Sequence, residues 1–323
     1  MEIFKKVKIF DFVAYSKYGL IISVFLTLGA FALFFFKGFT PGIDFAGGSS
    51  AQIRYEETAP IIEIREILDA TEGFKGSQVS EYGTKQEVQI KIPYNNLLSG
   101  KNLNVVLEDL LKDTGRFEIR KLDSVGPKVG NELKQKGILS LVLATLAMML
   151  YVSFRYEWRF ALASIVALVH DVIITAAFVI IFNIDLNLEV VAALLTLIGY
   201  SINDTIIIFD RIREKMLSNK SNDIIEVINE AISHTLSRTL LTSLTVFFVV
   251  LTLYLFGGEN IIGFSLPMLI GVVFGTYSSM FVAPKLAILF GFNIQEYHEK
   301  EMKKAKKREE KKRLREMYEN GRV

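Results

Sequence analysis

Residues 160–182 read FALASIVALVHDVIITAAFVIIF, a stretch whose single formal charge is Asp171. A helix rises about 1.5 Å per residue and needs roughly 20 apolar residues to cross about 30 Å of hydrocarbon, so this run predicts a transmembrane helix. Five more of the same kind flank it, at Tyr18–Phe36, Gly137–Phe154, Leu188–Phe209, Thr239–Phe256 and Ile262–Phe290. The last is long enough to tilt or to lie partly in the interface. Composition agrees, since 51% of the 323 residues are hydrophobic and 22% are charged, too apolar for an ordinary soluble domain of this length. The first run is expected to stay as an anchor and not to be cleaved, because Phe34, Phe35, Phe36 and Lys37 stand where a small-x-small cleavage pattern would belong.

Orientation follows from Lys and Arg in the short flanks, which stay on the cytoplasmic side while acidic residues count for little. Lys5, Lys6, Lys8 and Lys17 precede the first run, Arg155 and Arg159 lie between the second and third, and Arg211, Arg213, Lys215 and Lys220 lie between the fourth and fifth. A basic segment follows the sixth. The connections 183–187 and 257–260 carry neither Lys nor Arg. Both termini are therefore expected in the cytoplasm of a multi-pass protein. The predicted organisation is a cytoplasmic N-terminus (1–17), helix one (18–36), an extracytoplasmic domain (37–136), helices two to six (137–290) and a basic cytoplasmic tail (291–323).

Within 37–136 the pattern is mixed. Gly48–Tyr55 reads as a strand, Pro60–Thr71 as a helix with Ile61, Ile64 and Leu68 on one side, and Ser77–Tyr82 and Glu87–Ile92 as two further strands. Leu103–Leu111 as a helix and Arg116–Lys121 as a strand complete the order β-α-β-β-α-β, that of a ferredoxin-like split motif. The expected fold is an α-helical polytopic membrane protein with six transmembrane helices and an α+β ferredoxin-like extracytoplasmic domain. The tail from Tyr297 to Arg322 alternates Lys and Arg with Glu; it reads as a solvated helix, or as one whose basic excess rests on anionic lipid or ribosomal RNA.

An ionisable residue at the centre of a span costs about 2.5–3.5 kcal/mol on insertion scales and is kept when it is paired, hydrated or used. Asp171 lies near the middle of the third run behind His170, Asp204 lies inside the fourth, and Arg238 opens the fifth. These three fit a proton relay, in which a carboxylate alternates between a protonated form and one paired to Arg238. They also fit structural pairing, with Asp204 and Arg238 joining helices four and five and Asp171 bonded to a nearby hydroxyl. Asp210 sits with Arg211 and Arg213 at the edge, where ordinary surface pairing explains it. Gly271, Gly275 and Ser279 recur at four-residue spacing, a close-packing pattern, and Pro267 and Pro284 in the same run are expected to kink or end it. Gly42, Asp44, Gly47 and Gly48 read as a turn or a hinge carrying the extracytoplasmic domain.

Enzymatic classes find little here. The chain has no Cys and three His, which removes thiolate ligands and a Cys nucleophile and leaves no metal-ligand spacing. No phosphate loop of the form G-x-x-x-x-G-K-[ST] occurs. Neither a cofactor, a metal nor sequence-specific nucleic acid binding is expected.

Five strings stand in order along the chain: GIDFAGG at Gly42–Gly48, VGPKVG at Val125–Gly130, LVHD at Leu168–Asp171, YSINDTIIIFDRIRE at Tyr200–Glu214 and SRTLLTS at Ser237–Ser243. Together they resemble the SecD/SecF protein-export family of the resistance-nodulation-division superfamily. The resemblance implies a subunit of the bacterial cytoplasmic membrane that pairs with SecD. It also implies work alongside the SecYEG channel, the SecA motor and, in some assemblies, YidC and YajC, to complete export of unfolded polypeptide with the proton-motive force. It puts Asp204 and Arg238 at motif positions linked to proton passage, with Asp171 as a third member. Two alternatives stand beside it: a passive assembly subunit of the translocon, and a proton-driven exporter of a lipid or small molecule. The second fits less well, because such exporters carry two six-span halves and larger heads.

Overall fold

The computed structural model describes residues 8–98, 100–218, 223–292 and 294–319. Lys5, Lys6 and Lys220 of the orientation pattern, and the last residues of the tail, lie outside them. In chain order, helix α1 (Phe12–Phe36) and the short α2 (Ile43–Ala46) lead into strand β1 (Gly48–Tyr55), α3 (Ile61–Ala70), β2 (Gln78–Tyr82), β3 (Thr84–Pro93), α4 (Leu103–Leu111) and β4 (Phe117–Val125). Seven helices follow: α5 (Pro127–Arg155), α6 (Trp158–Ile181), α7 (Leu188–Ser218), α8 (Ile224–Phe256), α9 (Ile262–Phe281), α10 (Ala283–Leu289) and α11 (Ile294–Glu319).

Among the described residues six helical stretches are long and apolar enough to cross a membrane: α1, α5, α6, α7, α8 and the α9–α10 pair. Each predicted run lies within or close to one of them, but the helices often start earlier, because hydropathy marks only the part suited to hydrocarbon. Helix α1 starts at Phe12, where the Asp11 carboxylate accepts from Ala14 N at 3.1 Å and caps the end. Helix α5 starts at Pro127, whose missing N–H costs nothing in a first turn. The sixth run is two helices. The chain breaks at Val282, and Pro284 in the first turn of α10 cannot donate back into α9, whereas Pro267 is accommodated inside α9.

The bundle has an inside and an outside. Helices α6, α7 and α9–α10 bury more than half of their most apolar stretch within the protein, while α1, α5 and α8 bury under a fifth. Apolar side chains on the outer helices, Phe25, Leu143 and Phe248 among them, are exposed, as expected of surfaces that meet lipid tails. At one end, Val13 N donates to Asn229 Oδ1 at 2.9 Å, Asn229 donates to Asp11, and the Phe160 and Phe292 rings pack at a tilt. The first third of α8 is part of this end, burying Val227, Ile228, Ala231 and Ile232. Arg155 pairs across to Asp210 at 2.8 Å, so the acid at this edge is held by α5, and Arg211 pairs with Glu214.

At the other end sits the sheet domain. Its strands run in the order β2-β3-β1-β4, all antiparallel, the ferredoxin-like arrangement expected from the sequence. Residues alternate across the sheet. Ala51, Ile53, Tyr55, Val88, Ile90 and Ile92 point to one face, where Ile64 and Leu68 of α3 and Leu107 and Leu111 of α4 close a core. Each fully buried aliphatic side chain contributes about 1.5–3 kcal/mol. The other face is polar and meets the bundle: Lys91 pairs with Asp185, and Gln52 donates to Asn260 Oδ1 at 2.9 Å. Asp185 and Asn260 belong to the two connections that lack Lys and Arg.

Candidate functional site

Asp171 of α6 is fully buried. Its Oδ2 accepts from Ser201 Oγ of α7 at 2.6 Å and from Ser278 Oγ of α9 at 2.7 Å, and its Oδ1 lies 2.9 Å from His170 Nδ1. One carboxyl group thus ties the three inner helices together, with a hydrogen-bond partner on each oxygen. The arrangement satisfies a polar group that would otherwise be costly in an apolar interior. His170 turns its Nε2 into a buried position without a hydrogen-bond partner among the described residues.

Asp204 of α7 is equally buried and differently served. Its Oδ2 accepts a single long bond from Ser243 Oγ of α8 at 3.3 Å, and Ser243 in turn accepts from Thr276 Oγ1 of α9 at 2.6 Å. Its Oδ1 has no hydrogen-bond partner among the described residues. Tyr200, one turn earlier on α7, brings its hydroxyl toward Ser243 and Thr276 without completing a hydrogen bond. Arg238 lies on the outer helix α8, exposed. It is near enough to act on Asp204 electrostatically, yet no ion pair within 4 Å joins the two. The structure therefore gathers the expected residues into two centres, the Asp171 centre within the three inner helices and the Asp204 centre reaching from α7 to Ser243 of α8, with the arginine at the rim.

Small residues set the spacing of these centres. A side-chain carbon on Gly275 would stand 3.2 Å from Ser201 Cβ, and one on Gly271 would stand 2.7 Å from Leu197 Cδ1. The repeat Gly271, Gly275, Ser279 thus lets α9 approach α7 closely at the level of Asp171, as close packing in membranes favours. Four hydroxyls of the two centres, Ser201, Ser243, Thr276 and Ser278, were not singled out by sequence. Ser201 and Ser243 do lie inside the strings YSINDT and SRTLLTS, three residues before Asp204 and five after Arg238.

The glycine string forms a junction between the sheet domain and the bundle. Gly42 N donates to Leu186 O at 2.9 Å, and Asp44 Oδ2 accepts from Leu188 N at 3.1 Å, at the start of α7. Gly48 has φ 139°, and a Cβ there would stand 2.5 Å from Ile92 O, so the turn into β1 requires glycine. Gly47 packs on Pro127, and a Cβ on Gly130 would lie 3.1 Å from Phe45 O. GIDFAGG and VGPKVG are thus two sides of one contact, which joins the entry to β1 with the start of α5.

Comparison with known proteins gives a consistent family. A sequence profile described as "Protein export membrane protein SecD/SecF, C-terminal" matches residues 106–293, and another described as "SecD/SecF GG Motif" matches residues 32–59. The chain is 62% identical to the protein translocase subunit SecF of Helicobacter pylori over the full length of both. It is 39% identical to that of Vibrio alginolyticus over 92% of this chain and 94% of the other. Among solved structures it resembles SecDF from Thermus thermophilus, described as a translocon-associated membrane protein, with a TM-score of 0.79 and 32% identity. That match covers 88% of this chain and 39% of the other, so the chain spans about two-fifths of that SecDF.

Proposed function

The chain belongs to the SecD/SecF family of protein-export membrane proteins, and on that premise we propose that it couples the proton-motive force to the late stage of polypeptide export. In this reading it works as a partner of SecD beside SecYEG, after SecA has started translocation. Asp204 is the residue that gains and loses the proton, Arg238 is the charge it meets when ionised, and Asp171 is the second carboxylate of the path. The carrying observation is the pair of fully buried carboxylates on the inner helices, of which Asp204 has an oxygen with no partner. A buried oxygen without a donor is a poor way to hold helices together and a suitable place for a proton to come and go.

The proposed sidedness puts residues 1–17 and 291–323 in the cytoplasm and 37–136 outside the bacterial cytoplasmic membrane. Its support is the Lys and Arg bias, together with the meeting of the sheet domain and the two uncharged-by-Lys-or-Arg connections at one end. One charge crossing 100 mV releases about 2.3 kcal/mol, enough to bias a domain between two positions separated by a few kcal/mol. The polar contacts Lys91–Asp185 and Gln52–Asn260 suit such a movement, since they re-form with water at little cost. Gly42, Asp44, Gly47 and Gly48 are then the hinge.

A passive assembly role has one observation in its favour, the complete set of donors around Asp171, which looks like a pin between helices. The test is reconstitution of the chain with SecD and SecYEG in vesicles, following completion of SecA-initiated translocation with and without a proton gradient. An Asp204→Asn complex that assembles but no longer responds to the gradient supports the coupling role. A mutant that responds like wild type moves Asp204 to structure and leaves the passive role standing.

A further inference from the structure

Helix α11 is the longest element with no function assigned so far. Its first turn is fixed to the bundle: Ile294 and Tyr297 are buried, Arg213 Nε donates to the Tyr297 hydroxyl at 2.8 Å, and Phe292 just before it lies 4.4 Å from the Phe160 ring. Phe160 and Arg213 bracket the ends of the apolar stretches of α6 and α7, so the helix departs from the level at which hydrocarbon gives way to headgroups. Beyond that turn, every residue from Lys306 to Glu316 is exposed.

The net positive charge of this arm is concentrated on one side. At about 100° per residue, Lys303, Lys307, Lys311, Arg315 and Arg308 fall within one arc free of Glu309, Glu310 and Glu316, while Lys306, Lys312 and Arg313 lie outside the arc among those three acids and balance their charge. The exposed large apolar side chains are Met302 and Leu314, too few to form the apolar face with which a surface helix inserts. Attraction to a flat anionic surface needs no such face and is favoured when the acids turn away from it.

We propose that α11 is an electrostatic docking arm for anionic phospholipid headgroups of the leaflet on its own side of the membrane. Its anchorage at headgroup level makes the lipid surface a tethered partner at high effective concentration, whereas a polyanion from solution has to be recruited. Basic segments directly following a transmembrane helix act in this way, and the attraction fades within a Debye length. The role does not depend on proton coupling.

The chain has no Cys, so single cysteines can be labelled cleanly. Leu314→Cys reports from the basic side and Glu309→Cys from the opposite side. The full chain would be placed in nanodiscs of phosphatidylcholine alone or with phosphatidylglycerol, and quenching of a fluorophore by acrylamide measured. The expected result is a several-fold drop in quenching at position 314 in the anionic discs, reversed by high salt, with little change at position 309. A variant carrying Lys303→Gln, Lys307→Gln, Lys311→Gln and Arg315→Gln should lose the drop; the lipid and salt comparisons on the unaltered arm stand without it. Equal quenching at position 314 in both discs overturns the proposal. So does shielding produced in neutral discs by added ribosomal RNA and not by anionic lipid.

Discussion

Asp171 and Asp204 are both fully buried, on adjacent inner helices, and their surroundings differ in almost every other respect. Asp171 has partners on both oxygens, His170 on one and Ser201 and Ser278 on the other, while Asp204 has one long bond from Ser243 and a second oxygen without a partner among the described residues. The difference teaches that burial alone does not identify a working carboxylate. On the proposed reading the satisfied group serves chiefly to hold its helices, and the under-satisfied one to take up and release the proton.

The contrast can be broken most strongly by removing each side chain in turn. Both Asp171→Ala and Asp204→Ala leave the same cavity, but only the first strands donors on three helices. Hydrogen bonds in membrane bundles average about 0.6 kcal/mol, so the three around Asp171 should make Asp171→Ala lose about 2 kcal/mol beyond the cavity, against about 0.6 kcal/mol for Asp204→Ala, in equilibrium denaturation in mixed detergent and SDS. Equal losses would mean that the hydrogen bonds around Asp171 carry no net stability.

A smaller effect should come from the spacing between α7 and α9. Gly275→Ala sets a methyl group against Ser201 Cβ, an overpacking expected to cost about 1–2 kcal/mol. It should disturb the Asp171 centre before the Asp204 centre, since Ser201 serves the former. Gly271→Ala sets its methyl 2.7 and 2.8 Å from the two methyls of fully buried Leu197 and should cost at least as much. The same denaturation measurement ranks them, and a clearly larger loss for Gly275→Ala would place the critical contact at Ser201. The smallest change should be Ser243→Ala, which removes the one bond to Asp204: about 0.6 kcal/mol, with a larger effect on gradient response than on stability.

Much of this contrast was only partly legible in the sequence. Hydropathy located the apolar runs and the charged residues within them, because a charge in hydrocarbon is rare enough to stand out. It did not show that α1, α5 and α8 extend well before their apolar runs, since those extensions are held by caps and by packing at the bundle end, as at Asp11 and Val227. Nor did it divide the sixth run at Val282, although Pro284 was a sign of it. In the sheet domain alternation gave the strands, but β3 starts at Thr84 and β4 continues to Val125. Those ends carry polar residues that fit a strand only because neighbours pair with them. The hydroxyl partners were hidden for a simple reason: Ser and Thr are common in transmembrane helices, and only tertiary contact shows which of them meet a carboxylate. The long side chain of Arg238 has many reachable positions, so its place at the rim could not be read from spacing.

The most direct measurement sets the two carboxylates against each other in function. Assembled complexes containing wild type, Asp171→Asn or Asp204→Asn would be compared for the stimulation of late translocation by an imposed proton gradient. The account predicts that Asp204→Asn abolishes the stimulation while Asp171→Asn retains a reduced one. Loss of the stimulation in Asp171→Asn with full retention in Asp204→Asn would contradict it.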